Sequence, residues 1–191
     1  MADAEWGDPV ELGTALCRAG CKTIQLRAKK LSALSIRAAA NALIPIVRHH
    51  GCLIIINDHV EVAAAVGADG VHLGQDDGPT KIARSILPNG LIGRSTHTLK
   101  QVISAQDVDY LGFGPIFTTQ TKATGWSARG TDALRKAVLG SKIPIVAIGG
   151  IQLSTLPDIV ETGVHSWAII SAILGNHDIK SQVLAFNNCN H

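Results

Sequence analysis

The sequence predicts an α/β fold, a TIM-type (β/α) barrel of seven parallel strands that lacks its first strand. Three observations carry this. Short β-rich runs alternate with segments of helical spacing along the whole chain, the pattern of a parallel sheet with crossover helices. Aromatic residues make up only 4% of the chain, so core volume comes from Ile, Leu, Val and Ala, which suits strands buried on both faces. Polar residues end every run, which places them around one mouth; an open sheet would gather them at a single switch point.

The elements follow in order. Residues 1–8 are a polar lead with no strand-like run, and the spacing of Val10, Leu12 and Leu16 predicts a helix over Pro9–Arg18. A strand over Thr23–Arg27 carries Gln25 and Arg27, and a long Ala/Leu/Ile-rich helix covers 34–49. Strand Leu53–Asn57 runs into Asn57-Asp58 and is followed by helix Val60–Val66. Gln75 and Asp77 follow strand Gly70–Leu73, with a helix over 80–87. Ser95 and His97 close a strand over 91–95, before a helix over 99–106. Thr119, Thr121 and Lys122 follow strand Tyr110–Phe113, and a helix is predicted over 131–139. Gly149-Gly150 follow strand Ile145–Ile148, ahead of a helix over 154–161. Ser171 follows a last strand over 166–170, with a helical piece over 179–185 and a disordered tail over 187–191. Gly20, Gly51, Gly67, Gly90 and Gly163 fall between a helix and the next strand, where a left-handed C-terminal cap is expected. No linker divides the chain, so residues 1–191 read as one domain.

Composition narrows the function. With 46% hydrophobic and 17% charged residues the chain can build a packed core. A net charge of +2 argues against a nucleic-acid or anionic-membrane partner. No apolar run is long enough to span a bilayer, and the start has no basic region followed by an apolar core, so a cytoplasmic location is expected. The four cysteines, Cys17, Cys21, Cys52 and Cys189, form no CxxC pair and read as free thiols.

The strand ends carry a set of motifs. They are Gln25-Leu26-Arg27-Ala28-Lys29, Ile56-Asn57-Asp58, the run from Asp69 to Asp77 (DGVHLGQDD), Gly93-Arg94-Ser95-Thr96-His97, the run from Gly112 to Lys122 (GFGPIFTTQTK), Val146-Ala147-Ile148-Gly149-Gly150-Ile151, and Ile170-Ser171-Ala172-Ile173. In this order and spacing they resemble the thiamine phosphate synthase family, from about Gln25 to Ile173. Each motif alone is weak; together they are specific. Two features depart from the family pattern. The opening strand of the family has no counterpart in residues 1–8, and Gly125-Trp126-Ser127-Ala128-Arg129-Gly130 matches no family segment closely.

The resemblance implies a transferase that joins a hydroxymethylpyrimidine diphosphate to a thiazole phosphate, releasing diphosphate, with Mg²⁺. Gln25, Thr119 and Thr121 would orient the aminopyrimidine and diphosphate. Arg27, Lys29, Asn57, Ser95 and Lys122 would hold the diphosphate, and Asp58 and Asp77 would bind Mg²⁺. Gly149, Gly150, Ile170 and Ser171 would hold the thiazole phosphate, at the barrel position where phosphates often bind. The residue types suit that chemistry. Expelling a diphosphate needs cations near its oxygens, and carboxylates tolerate it only with a metal ion between them. No Ser-His-Asp or Cys-His set presents itself, and none is needed if the diphosphate leaves before the thiazole nitrogen attacks. Related enzymes of this kind imply a homodimer.

Plainer readings compete. Arg27 and Lys29 alone would be solvated charges. Asp58 and Asp77 would cap the helices that follow them, with Asp76 a bystander. His72, inside a strand, is expected to point between barrel and helices as a hydrogen-bonded core residue. His49-His50 suit a helix C-terminus, and Gly149-Gly150 a simple turn. At the level of function, a thiazole tautomerase-like relative would carry a histidine where this chain has Pro115. A barrel without its first strand could also be a non-catalytic binding protein, or a chain whose real start lies upstream.

Overall fold

In the computed structural model, which describes residues 1–119 and 126–189, each strand pairs in parallel with the next in sequence. The eight strands are β1 (Ala2–Asp3), β2 (Thr23–Arg27), β3 (Leu53–Asn57), β4 (Gly70–Leu73), β5 (Leu91–Thr96), β6 (Tyr110–Phe113), β7 (Ile145–Ile148) and β8 (Ser166–Ala168). Helices α1 (Pro9–Arg18), α2 (Ala33–His49), α3 (Val60–Val66), α4 (Thr80–Ile86), α5 (Leu99–Ser104), α6 (Gly130–Gly140), α7 (Leu156–Val160), α8 (Ser171–Leu174) and α9 (Ile179–Asn188) alternate with them. The barrel class expected from the sequence is the class observed.

The first strand is where the expectation fails. Residues 1–8 do hold a strand: Ala2 registers with Leu26 and Asp3 with Arg27. The Met1 amino group donates to Ile169 O at 3.1 Å, so the start of the chain reaches across to the segment after β8. Ladder pairing between β8 and β1 is absent among the described residues. A two-residue strand has no periodicity to read. Asp3 looks like solvated lead until its partner is known, yet it is fully buried, in an ion pair with Arg27 at 2.6 Å. Smaller differences lie at element ends. Asn187 and Asn188 belong to α9, β8 stops at Ala168, and Gly90, unlike the other four glycines, does not take a left-handed conformation.

Strand alternation sorts the side chains. Ile24, Leu26, Ile54, Ile56, Val71, Leu73, Ile92, Leu111 and Phe113 are all within 2% of full burial and form the layer between sheet and helices. Residues of the opposite parity face inward, and the register aligns Asn57, His72, Gly93 and Tyr110 side by side. His72 therefore points into the barrel, not outward to the helices as the sequence suggested. Two inward glycines make the room. A Cβ on Gly93 would lie 2.1 Å from Tyr110 Cζ and 2.5 Å from His72 Nδ1, and one on Gly112 would lie 3.2 Å from His72 Cε1. Gly93→Ala is expected to cost about 1–3 kcal/mol by overpacking, read as a lower urea midpoint with an unchanged m-value.

Towards the strand starts the interior is not filled. A cavity of about 470 Å³ is lined by Gln25, Ile55, Leu91, Tyr110, Val146 and Trp167, among others. Barrel interiors are normally packed by such side chains.

Candidate active site at the barrel mouth

The strand ends of β2, β3 and β4 bring the acids and bases together. Asp58 follows β3 directly and takes a left-handed backbone, φ 67°, which turns its side chain out of the strand course. It caps nothing: the N-cap of α3 is His59, without a side-chain bond. Lys29, just past β2, reaches Asp58 Oδ2 at 3.2 Å. Asp77 is not a helix cap either, since Pro79 holds that position in α4. Its Oδ2 accepts from Gly74 N at 2.6 Å and closes a turn. That turn is braced from outside by Arg94 on β5, which donates to Gln75 O at 2.8 Å and to Gly78 O at 2.6 Å. Gln75 in turn donates to Ser95 O. Arg94 and Gln75 carry no ligand role in the sequence reading; their value is visible only once the loops are placed.

Asp58 and Asp77 lie close enough to shift one another's titration. Burial, then the hydrogen bond and charge of Asp77, push the Asp58 carboxyl above its ordinary range against the pull of Lys29. Burial also works to raise Asp77, but the hydrogen bond from Asp58, the Gly74 N–H and the charges of Lys29 and Arg94 hold it below the usual value. The two carboxyls thus bias each other in opposite directions, as close carboxylates do. A divalent cation set between them would relieve that repulsion. No group of three or more His, Cys, Asp or Glu suited to a metal exists among the described residues. Two carboxylates leave positions for water and ligand oxygens, as Mg²⁺ bound with a phosphorylated substrate requires.

The pH dependence has a definite sign. Mg²⁺ competes with the proton for Asp58, so its affinity should rise as pH rises through the raised Asp58 pKa and fall below it. Without cation, ionising Asp58 costs stability, so its contribution is fully present below the unfolded carboxylate pKa and is lost as pH climbs through the folded value. Titration calorimetry in buffers of different ionisation enthalpy should show proton release on Mg²⁺ binding that disappears in Asp58→Asn. Equal heats in all buffers would contradict the raised Asp58 pKa.

Arg27 lies deeper, 5% exposed, with its Nη1 on Asp3 and its buried Nε without a partner. That Nε is a donor awaiting an acceptor. Gln25 presents the complement: its buried Oε1 accepts from no described residue. Asn57 is also buried, one position before Asp58. Across the mouth, Ser95, His97, Thr119, Gly149, Gly150, Ile170 and Ser171 line a cavity of about 70 Å³. Gly149 and Gly150 have φ of 96° and 68°. A Cβ on Gly150 would lie 2.6 Å from Thr118 O, so glycine here lets the backbone pack under the loop after β6. The simple-turn reading of this pair is thus correct as far as it goes, and the pair also lines the cavity. Thr121 and Lys122 lie outside the described residues.

The sequence missed a stack beside the cavity. Trp126 lies on His97, ring centroids 4.9 Å apart and 19° from parallel, and the Arg129 guanidinium lies 4.8 Å from the Trp126 centroid on its own ring contact. His97 Nδ1 is 2.6 Å from Gly114 O. Trp126, from the segment that matched no family pattern, therefore packs on the last residue of the β5 motif.

Parallel strands with acids, bases and glycine turns gathered at their C-terminal ends define a (β/α)-barrel enzyme. The family model described as thiamine monophosphate synthase matches residues 3–173. The chain belongs to that family. It is 40% identical over 163 residues to a thiamine-phosphate synthase of Pyrococcus horikoshii, covering 84% of this chain and 78% of that one. It is 40% identical over 180 residues to the Archaeoglobus fulgidus thiamine-phosphate synthase, covering 93% and 85%. The solved thiamine phosphate pyrophosphorylase of Pyrococcus furiosus superposes with a TM-score of 0.90 at 34% identity, covering 98% of this chain and 91% of that one.

Proposed function

We propose that this chain condenses hydroxymethylpyrimidine diphosphate with thiazole phosphate, giving thiamine phosphate and diphosphate with Mg²⁺. The observation that carries this is the Asp58–Asp77 pair after β3 and β4, with Lys29 3.2 Å from Asp58. Asp58 and Asp77 would hold Mg²⁺, which would supply charge neutralisation for the leaving diphosphate. Lys29 and the unpartnered Nε of Arg27 supply further positive charge, with Asn57 and Ser95 as neutral donors. Lys122 adds a cation from the loop after β6. The free Gln25 Oε1 accepts from the pyrimidine amino group, and Thr119 and Thr121 orient the same substrate. Gly149, Gly150, Ile170 and Ser171 receive the thiazole phosphate through backbone N–H groups.

In this reading the methylene carbon–oxygen bond breaks with its electron pair leaving on diphosphate, and the thiazole nitrogen then supplies the pair for the new carbon–nitrogen bond. The protein need only position and neutralise. Pro115, buried beside the cavity, has no acid or base to offer a tautomerase. The test is to incubate the chain with both substrates and Mg²⁺. Equal amounts of thiamine phosphate and diphosphate are expected. Isomerised thiazole alone, or tight binding with no product, would overturn the reading.

A further inference from the structure

A line of inward side chains runs from the unfilled interior up to the mouth, and the reaction as described uses only its two ends. Gln25 and Tyr110 both line that interior. Tyr110 Oη lies 3.1 Å from His72 Nδ1, and His72 Nε2 lies 2.9 Å from Ser95 Oγ. Ser95 lines the mouth cavity. The line exists because Gly93, between His72 and Tyr110 in the register, has no side chain.

We infer that His72 is a positioning residue, fixed by Tyr110 as its Nε2–H tautomer so that the Ser95 hydroxyl donates towards the departing diphosphate. This rests on the synthase reading above. The direction of the line follows from counting protons. Burial pushes the Tyr110 hydroxyl well above its ordinary pKa, so the phenol keeps its single proton at working pH. Gln25 Oε1 has no partner among the described residues, so the phenol does not donate to it. The acceptor within reach of the phenol proton is His72 Nδ1, at 3.1 Å. A neutral imidazole that accepts at Nδ1 carries its proton on Nε2. That N–H points at Ser95 Oγ, a bond that leaves the serine proton free for a ligand oxygen. Reversed, the line would have Ser95 donating to the imidazole, and the ligand would meet a hydroxyl with no proton to give.

The line places a neutral, preorganised donor where negative charge grows, and such donors act on kcat more than on binding. His72→Leu should therefore lower kcat about as much as Ser95→Ala, roughly 10- to 100-fold, with KM for the pyrimidine diphosphate changed by less than about twofold. The double variant should be no slower than Ser95→Ala alone, because the histidine acts through the serine. His72→Gln, which keeps an N–H, should recover part of the loss. Independently of activity, ¹⁵N spectra of histidine-labelled protein should show His72 protonated on Nε2, and Tyr110→Phe should shift it towards the other tautomer. An Nδ1–H signal in the parent protein would overturn the inference, as would His72→Leu and Ser95→Ala effects that multiply. A parent chain that makes no product while showing the Nε2–H signal would instead count against the synthase reading and leave the tautomer assignment standing.

Discussion

Asp77→Ala should remove nearly all activity, with kcat/KM falling on the order of a thousandfold or more. Two losses combine. The cation loses one of its two carboxylate ligands, and the Gly74–Asp77 turn loses the 2.6 Å bond that closes it. Asp77→Asn separates them, because an amide oxygen can still accept from Gly74 N but brings no charge. Activity should stay low in Asn while the thermal midpoint stays near that of the parent, whereas Ala should lose both. Asp58→Asn should give a different pattern. It also abolishes Mg²⁺ binding, but it removes the penalty of ionising a buried carboxyl beside Asp77, so the metal-free protein should be as stable as the parent or more so at neutral pH. Equal activity of parent and Asp77→Asn at saturating Mg²⁺ would show that the cation binds elsewhere.

Asp3→Ala should be the most damaging substitution for stability. Arg27 is 5% exposed and Asp3 is its ion-pair partner at 2.6 Å, so truncation leaves a buried guanidinium uncompensated. Removing one member of such a pair costs about 3–5 kcal/mol. For a chain of this size that lowers Tm by on the order of 10 °C. Replacing both members with apolar residues, Asp3→Leu with Arg27→Met, should restore much of the stability, because the charges must be desolvated in the parent too. It should not restore activity, since the unpartnered Arg27 Nε goes with the side chain. Calorimetric melting of the three variants checks the first claim and product formation the second. A single variant as stable as the parent would mean that the ion pair is not what holds β1 against β2.

What the sequence conveyed and what it did not divide along physical lines. The strands β2 to β7 were legible because their apolar runs are bounded by glycine and polar residues, and because their polar ends recur. The placement of Asp58 and Asp77 after adjacent strands was legible from their motifs, but neither caps the helix that follows. Whether a carboxylate caps a helix depends on the backbone at one residue, and the left-handed turn at Asp58 is invisible to pattern reading. His72 was misdirected for a related reason. Its inward face needs the missing side chains at Gly93 and Gly112, on other strands. β1 was missed because two residues make no period, and because the burial of Asp3 depends on Arg27, 24 positions away. Arg94 was passed over because its partners are backbone carbonyls in a loop whose path the sequence does not give. The stack of His97, Trp126 and Arg129 joins residues from separate segments and carries no spacing signal.

The claim on which the rest depends is that a diphosphate and a divalent cation meet between Asp58 and Asp77. ³¹P NMR of the pyrimidine diphosphate bound to this chain, with Mn²⁺ in place of Mg²⁺, tests it most directly. Both phosphorus resonances should broaden strongly with the parent protein and stay sharp with Asp58→Ala combined with Asp77→Ala. Broadening that survives the double substitution, or bound diphosphate untouched by the metal, would place the cation elsewhere and contradict the account.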